Sequence, residues 1–142
     1  MKTLLILGAS SDVAIACADI FAKNGFNLQL ASRNTSLLEN YKLDLIKKYK
    51  VDIKLIKFDI LDYDNNLFYE KLNPIPDVCL CAVGYLENEP IYQDEIIKTI
   101  RTNFEGPVIS SFNILKLFKK NNYWTIIVLS SIAGERARNK NL

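Results

Sequence analysis

Several short segments of this sequence place small and polar residues directly behind apolar runs, where a phosphate-bearing ligand could be held. Gly8-Ala9-Ser10-Ser11-Asp12-Val13-Ala14 follows the run Lys2 to Gly8. Gly8 permits a tight turn, small residues let the backbone approach a pyrophosphate, and a following helix aims its first N–H groups at it. The same turn also serves as an ordinary strand-to-helix loop. Ala31-Ser32-Arg33-Asn34 offers a hydroxyl followed by a guanidinium. A carboxylate there would hydrogen-bond an adenosine ribose, whereas this pair suits a 2′-phosphate. The plainer reading of Arg33 is a solvated loop cation. Phe58-Asp59-Ile60 sets a carboxylate behind a third run, with an Asx turn or helix cap as its alternative role. Cys81-Ala82-Val83-Gly84 is small throughout, where a ribose and nicotinamide would have to pass, and Leu129-Ser130-Ser131-Ile132-Ala133-Gly134 ends the series.

Other chemistries are excluded by composition. The 142 residues contain no histidine, which removes Ser-His-Asp hydrolysis, Cys-His proteolysis, His-ligated zinc and histidine base catalysis. Cys17, Cys79 and Cys81 form no Cys-x-x-Cys pair and read as small apolar core residues in a reducing cytoplasm. Net charge is +2 with no basic stripe, so nucleic acid is not an expected partner. No apolar stretch approaches the ~20 residues of a membrane span, and the first run lacks a cleavage site. A soluble, cytoplasmic chain of one domain is expected, long enough to bury a core without disulfides or a metal.

The elements that must position those residues alternate in type. Strands are predicted over Lys2 to Gly8, Phe26 to Ala31, Val51 to Phe58, Asp77 to Val83 and Trp124 to Ser130. Between them lie helical patterns. Asp12 to Asn24 is capped by Ser10 or Ser11, carries Val13, Ala16, Cys17, Ile20 and Phe21, and stops at Asn24-Gly25. A second helix opens at Thr35 or Ser36 and carries Leu37, Leu38, Tyr41, Leu45 and Ile46. A short one runs from about Asp64 to Leu72, and a long one from Gln93 to Asn121 with a kink at Gly106-Pro107. Strands apolar on both faces, separated by helices, mean a doubly wound parallel sheet, a Rossmann fold in order 3-2-1-4-5. Ligands then bind at the carboxyl ends of the strands, between strands one and four.

Taken together, the Gly8 turn, Ser32-Arg33, Asp59-Ile60, Ala82-Val83-Gly84, Asn103 in Thr102-Asn103-Phe104-Glu105-Gly106, and Ser130-Ser131-Ile132-Ala133-Gly134 resemble the classical short-chain dehydrogenase/reductase family, in order and spacing across the whole chain. The resemblance implies an oxidoreductase that transfers hydride between NADP, or NAD, and a small carbonyl or secondary alcohol. It implies that Gly8, Ser10, Ser11, Asp12 and Val13 hold the pyrophosphate and Ser32 and Arg33 the adenosine ribose. Asp59 would meet the adenine with Ile60 flanking it, and Ala82, Val83 and Gly84 would line the ribose channel. Asn103 is similar to the family's structural and proton-relay asparagine, and Ser131 to its catalytic serine, which stabilises the developing alkoxide. Packing or capping for Asn103, and a polar loop start for Ser131, are their bland readings.

The sequence departs from the family in two places. Asp12 and Ala14 stand where its fuller pattern has glycines; Asp12 is expected to point away from the pyrophosphate, as a first-turn acid on the helix dipole. The family's tyrosine comes about thirteen residues after the serine, which from Ser131 is position 144, with a lysine four further on, and the sequence ends at Leu142. Residues 1–142 therefore read as the N-terminal portion of a longer enzyme, incapable of turnover alone. A non-catalytic nucleotide-binding or interaction module is the competing function. The tail from Ser131 faintly resembles that of reductases acting on sugar-linked substrates, and is expected to be poorly ordered. The Gln93–Asn121 helix is apolar around most of its circumference, so a homo-oligomer formed through its outer face is expected.

Overall fold

The computed structural model describes residues 1–62, 66–86, 92–119 and 123–131. Five parallel strands, β1 (Thr3–Leu7), β2 (Asn27–Ser32), β3 (Ile53–Lys57), β4 (Val78–Cys81) and β5 (Thr125–Val128), form one sheet in the order β3-β2-β1-β4-β5. This is the expected order; β1, β3, β4 and β5 are shorter than their apolar runs, and β2 is shifted one residue toward its carboxyl end. The helices are α1 (Asp12–Lys23), α2 (Glu39–Tyr49), α3 (Asn66–Glu70), α4 (Gln93–Ile100) and α5 (Gly106–Phe118). Residues 64–65 of the short predicted helix and 120–121 of the long one lie outside the described residues, as does the tail from 132.

The central strand β1 is buried along its whole length. Leu4 and Ile6 face a core shared with α1 and α2, while Leu5 and Leu7 face one shared with α3 and α5. The winding reverses at β1, whose neighbours are β2 and β4. Behind its carboxyl end the backbone parts: Gly8 and Ala9 both donate to the Ala31 carbonyl, at 3.0 Å each, on the β2 side. Ala82 donates to the Leu7 carbonyl at 2.9 Å on the β4 side. That parting is the crevice.

Three local readings are corrected. The buried stripe of α1 is Ala14, Ala18 and Ala22, while Val13 and Ile20 are more than half exposed. Alanine lets the helix lie close on the sheet, so the larger residues are left at its flanks. The second helix is entered through a 3₁₀ turn, Thr35–Leu38, whose cap is Asn34 rather than Thr35 or Ser36, its carboxamide oxygen accepting from the Ser36 N–H at 3.2 Å. The irregularity expected at Gly106-Pro107 sits one turn earlier, as a π-helical turn over Arg101–Glu105. Pro107, in the first turn of α5, has no N–H to donate to the helix that runs into it, and the extra residue sits just before it, where the Gly106 N–H bonds to the Arg101 carbonyl five residues back.

Candidate functional site

The crevice is a pocket of about 200 Å³ lined by the four segments that follow β1, β2, β3 and β4 and by one helix wall. Gly8, Ser10 and Ser11 come from the loop after β1, Ser32 and Arg33 from the end of β2, and Asp59 and Ile60 from beyond β3. Ala82, Val83 and Gly84 follow β4. The sheet order thus brings together residues up to 76 positions apart, from Gly8 to Gly84, into one hollow (84 − 8).

Gly8 is fixed by two constraints. Its φ is +79°, a region side chains rarely adopt, and a Cβ built there would stand 2.9 Å from Val83 Cγ2 and 3.0 Å from the Ala82 and Val83 backbone. The turn after β1 therefore presses directly on the end of β4. Ser11 is the N-cap of α1, its Oγ accepting from the Ala14 N–H at 3.3 Å. That leaves Ser10 and the open N-terminus of α1 to face a ligand. Asp12 is exposed in the first helical turn, and neither it nor Val13 lines the pocket.

At the end of β2 the Ser32 hydroxyl, only 5% exposed, donates to Ser10 Oγ at 3.3 Å. This contact joins the first two loops across the crevice. Arg33, beside it, is exposed to solvent. Asp59 Oδ1 accepts from the Leu61 N–H at 3.0 Å, so the carboxylate makes an Asx turn as well as lining the pocket. Gly106 matters on the far side: a Cβ there would lie 2.6 Å from the Ile60 carbonyl oxygen, so α5 reaches the loop after β3 only because it begins with glycine.

Asn103 and Ser131 are not in the pocket wall. Asn103 lies on the π-helical turn and clamps the backbone of Tyr85 from both sides: its Oδ1 accepts from the Tyr85 N–H at 2.7 Å and its Nδ2 donates to the Tyr85 carbonyl at 2.6 Å. It positions the loop after β4. Ser130 and Ser131 are exposed beyond the end of β5.

Sequence reasoning missed the wall that α4 provides. Tyr85, Lys98 and Thr102 line the pocket, together with Phe58 and Leu61. Tyr85 Oη donates to Glu95 Oε2 at 2.5 Å and accepts from Lys98 Nζ at 2.7 Å, and that ammonium lies 4.1 Å from the centre of the Tyr85 ring. The bond to Tyr85, aided by Glu95, holds Lys98 protonated beyond the ordinary lysine range. The available signal was the i, i+3 spacing of Glu95 and Lys98 after a tyrosine that follows Gly84. Burial pushes the Cys79 and Cys81 thiols up, so neither is a ready nucleophile.

The comparisons agree with this architecture. The family model described as short chain dehydrogenase matches residues 2–141. An uncharacterized oxidoreductase of Listeria innocua is 29% identical over 96% of the chain and 57% of its own length. The NADP-dependent 3-hydroxy acid dehydrogenase of Schizosaccharomyces pombe is 28% identical over 96% of the chain and 56% of its own length. Among solved structures, the short-chain dehydrogenase from Sphingobium yanoikuyae in complex with NADPH superposes with a TM-score of 0.87 at 18% identity, covering 99% of the chain and 57% of that structure. An alcohol dehydrogenase of Thermococcus sibiricus complexed with 5-hydroxy-NADP gives 0.85 at 23% identity, covering 99% and 63%. The chain thus spans somewhat over half the length of the curated relatives it matches.

Proposed function

The chain belongs to the short chain dehydrogenase family, and from that premise we propose that it is the nucleotide-binding portion of an NADP-dependent oxidoreductase acting on a carbonyl or secondary alcohol. The observation that carries the NADP reading is the end of β2, where Ser32 and Arg33 share one pocket with Ser10 and no carboxylate takes the ribose position. The pocket fits a dinucleotide: the Gly8 turn leaves no room for a side chain, and Gly84 has open space where a Cβ would stand. Gly8, Ser10 and Ser11, with the first-turn N–H groups of Asp12 and Val13, hold the pyrophosphate. Ser32 and Arg33 take the 2′-phosphate, Asp59 and Ile60 the adenine, and Ala82, Val83 and Gly84 the ribose. When bound, the nicotinamide supplies the hydride. Asn103 keeps the loop after β4 in place, and Ser131 polarises the carbonyl.

The relatives support this reading by their own printed descriptions, an NADP-dependent dehydrogenase and an NADPH complex. NAD is the second cofactor to test, since a 3-oxoacyl-[acyl-carrier protein] reductase of Brucella melitensis of like fold carries it. The substrate is a small carbonyl or alcohol, with sugar-linked compounds as the first class to screen, and the site of action is the cytoplasm. Titrating the protein with NADPH and then NADH, followed by nicotinamide fluorescence, tests the proposal. Saturable binding with NADPH the tighter is expected; no binding of either refutes it.

Assembly follows from the outer face of α4 and α5. Thr102, Gly106, Ser110, Ile114 and Phe118 turn inward at every fourth position, which leaves Ile96, Ile97, Ile100, Phe104, Val108 and Phe112 on the outer face. Phe104 is 68% exposed, too much for a side chain whose partner is water. A second copy, related by a two-fold axis, covers this stripe. Light scattering at micromolar concentration should give a dimer, and Phe104→Lys with Val108→Lys should give a monomer of unchanged circular dichroism. A monomeric parent chain overturns the assembly.

A further inference from the structure

The outer edge of the sheet carries a basic groove that the cofactor reading does not use. It runs beside β3, measures about 440 Å³, and is lined by Lys42, Lys54, Lys57 and Lys71 with Ile53, Leu55 and Ile56 between them. Among the described residues no acidic side chain lines it. Asp59 and Asp62 belong to the next hollow, past the carboxyl end of the strand, where Lys57 and Lys71 also reach.

Among the described residues, the backbone of β3 has no strand partner on this side. β3 is the terminal strand of the sheet and bonds to β2 alone. The Asp52 carbonyl and the Phe58 N–H both bond to β2, at 2.9 and 3.0 Å. Backbone direction alternates along a strand, so positions 54 and 56 also point to β2, and the N–H and C=O groups of Ile53, Leu55 and Lys57 point outward into the groove. The lysines flank that row on both faces of the sheet. Lys57 shares the face of Ile53 and Leu55, which pack toward α2, the helix that supplies Lys42. Lys54 shares the face of Ile56, which packs toward α3, just beyond which stands Lys71. The Lys54 ammonium donates to the Asn73 carbonyl at the groove wall.

We propose that this edge is a docking site for an extended acidic peptide segment of a partner protein, which adds to the sheet as a sixth strand beside β3. Outward N–H and C=O groups match a peptide backbone, and an added strand projects its side chains alternately to the two faces, each of which presents two lysines. Charge sets the occupant. A second copy would bring the same four lysines against these, and lysines on a free edge repel such pairing. A nucleic acid satisfies the lysines but leaves the outward row of backbone groups unmatched.

The test uses the whole chain and a fluorescein-labelled peptide of alternating glutamate and valine. Its controls are the same peptide with lysine for glutamate, an acidic peptide with proline at alternate positions, and single-stranded oligothymidylate of equal charge. Anisotropy should show binding of the first peptide alone, weakening at least tenfold when salt is raised from low to high. Amide exchange at Ile53, Leu55 and Lys57 should slow in the complex. Lys54→Glu with Lys57→Glu should weaken binding at least tenfold, and Lys42→Glu with Lys71→Glu, which leaves the strand untouched, should do the same. Binding of NADPH should be unchanged in both variants, which separates this surface from the pocket. No binding overturns the proposal, as does equal binding of the proline peptide or of the lysine peptide. Equal or tighter binding of the oligonucleotide, without slowed exchange at the three amides, replaces it with a nucleic-acid surface.

Discussion

Purified residues 1–142, supplied with NADPH and a panel of ketones, should oxidise no cofactor above the buffer rate. Reducing a carbonyl needs a proton for the alkoxide as well as a hydride, and a positioned acid is worth about 10²–10⁴-fold. Ser131 can stabilise the developing charge, but a serine hydroxyl is a poor proton source at neutral pH. No tyrosine follows it in these 142 residues. Among the described residues lining the pocket, Tyr85 is the phenol, and its hydroxyl already donates to Glu95 while accepting from Lys98. Its proton is therefore directed to a carboxylate and away from the pocket. Nicotinamide absorbance followed on the purified protein decides the matter. Turnover abolished by Tyr85→Phe would make Tyr85 the acid, and turnover that survives the change would place the acid elsewhere; both overturn this account.

The fold was legible where one kind of residue dominates. Apolar runs broken by glycine, proline and polar residues marked all five strands; β1, β2 and β4 are buried on both faces and can be written no other way, while β3 and β5, at the edges of the sheet, keep exposed positions. Helix faces were harder to read. In α1 the eye goes to Val13 and Ile20, yet the sheet takes Ala14, Ala18 and Ala22. Along α4 and α5 most of the isoleucines and phenylalanines lie outside, while the inner face begins with the small Thr102, Gly106 and Ser110 and turns apolar at Ile114 and Phe118. In both cases closeness decided: a small side chain lets a helix lie nearer the sheet, and hydrophobicity alone does not record distance. The π-helical turn escaped notice for a related reason, since Gly106 and Pro107 look like the break and are instead the close contact and the first turn that follow it.

The pocket was legible from strand ends and opaque along its helix wall. Gly8, Ser32, Arg33, Asp59 and Gly84 stand at strand ends or within three residues of them, so topology places them. Lys98 reaches the pocket from the middle of a helix, through a bond to Tyr85 that no local spacing encodes. The lysines beside β3 were hidden in the same way. Lys42, Lys54, Lys57 and Lys71 are spread over some thirty residues and form no basic stripe in the sequence (71 − 42). Only the terminal position of β3 collects them.

Arg33→Ala should weaken NADPH by about 10- to 150-fold while changing NADH by less than about twofold. The range is the ~1.5–3 kcal/mol of a hydrogen bond to a charged group, converted at ~1.36 kcal/mol per decade. Arg33 is exposed, so solvent screening pulls the expected value toward the lower end. Against that, Ser32 is nearly buried and tied to Ser10, which fixes the backbone from which the guanidinium projects. Asp59 lines the same pocket and opposes an anion, but its Oδ1 is already accepting from the Leu61 N–H, which draws charge away from the pocket. The attraction therefore wins. Arg33→Lys should recover part of the loss, since it restores the charge without the planar pair of donors. Raising salt should narrow the gap between wild type and Arg33→Ala, the Debye length being ~10 Å at 0.1 M. Fluorescence titrations of the three proteins with both cofactors, at low and high salt, give every number needed. Equal losses for NADPH and NADH would mean that Arg33 grips a part common to both cofactors, and the 2′-phosphate assignment at the end of β2 would have to be abandoned.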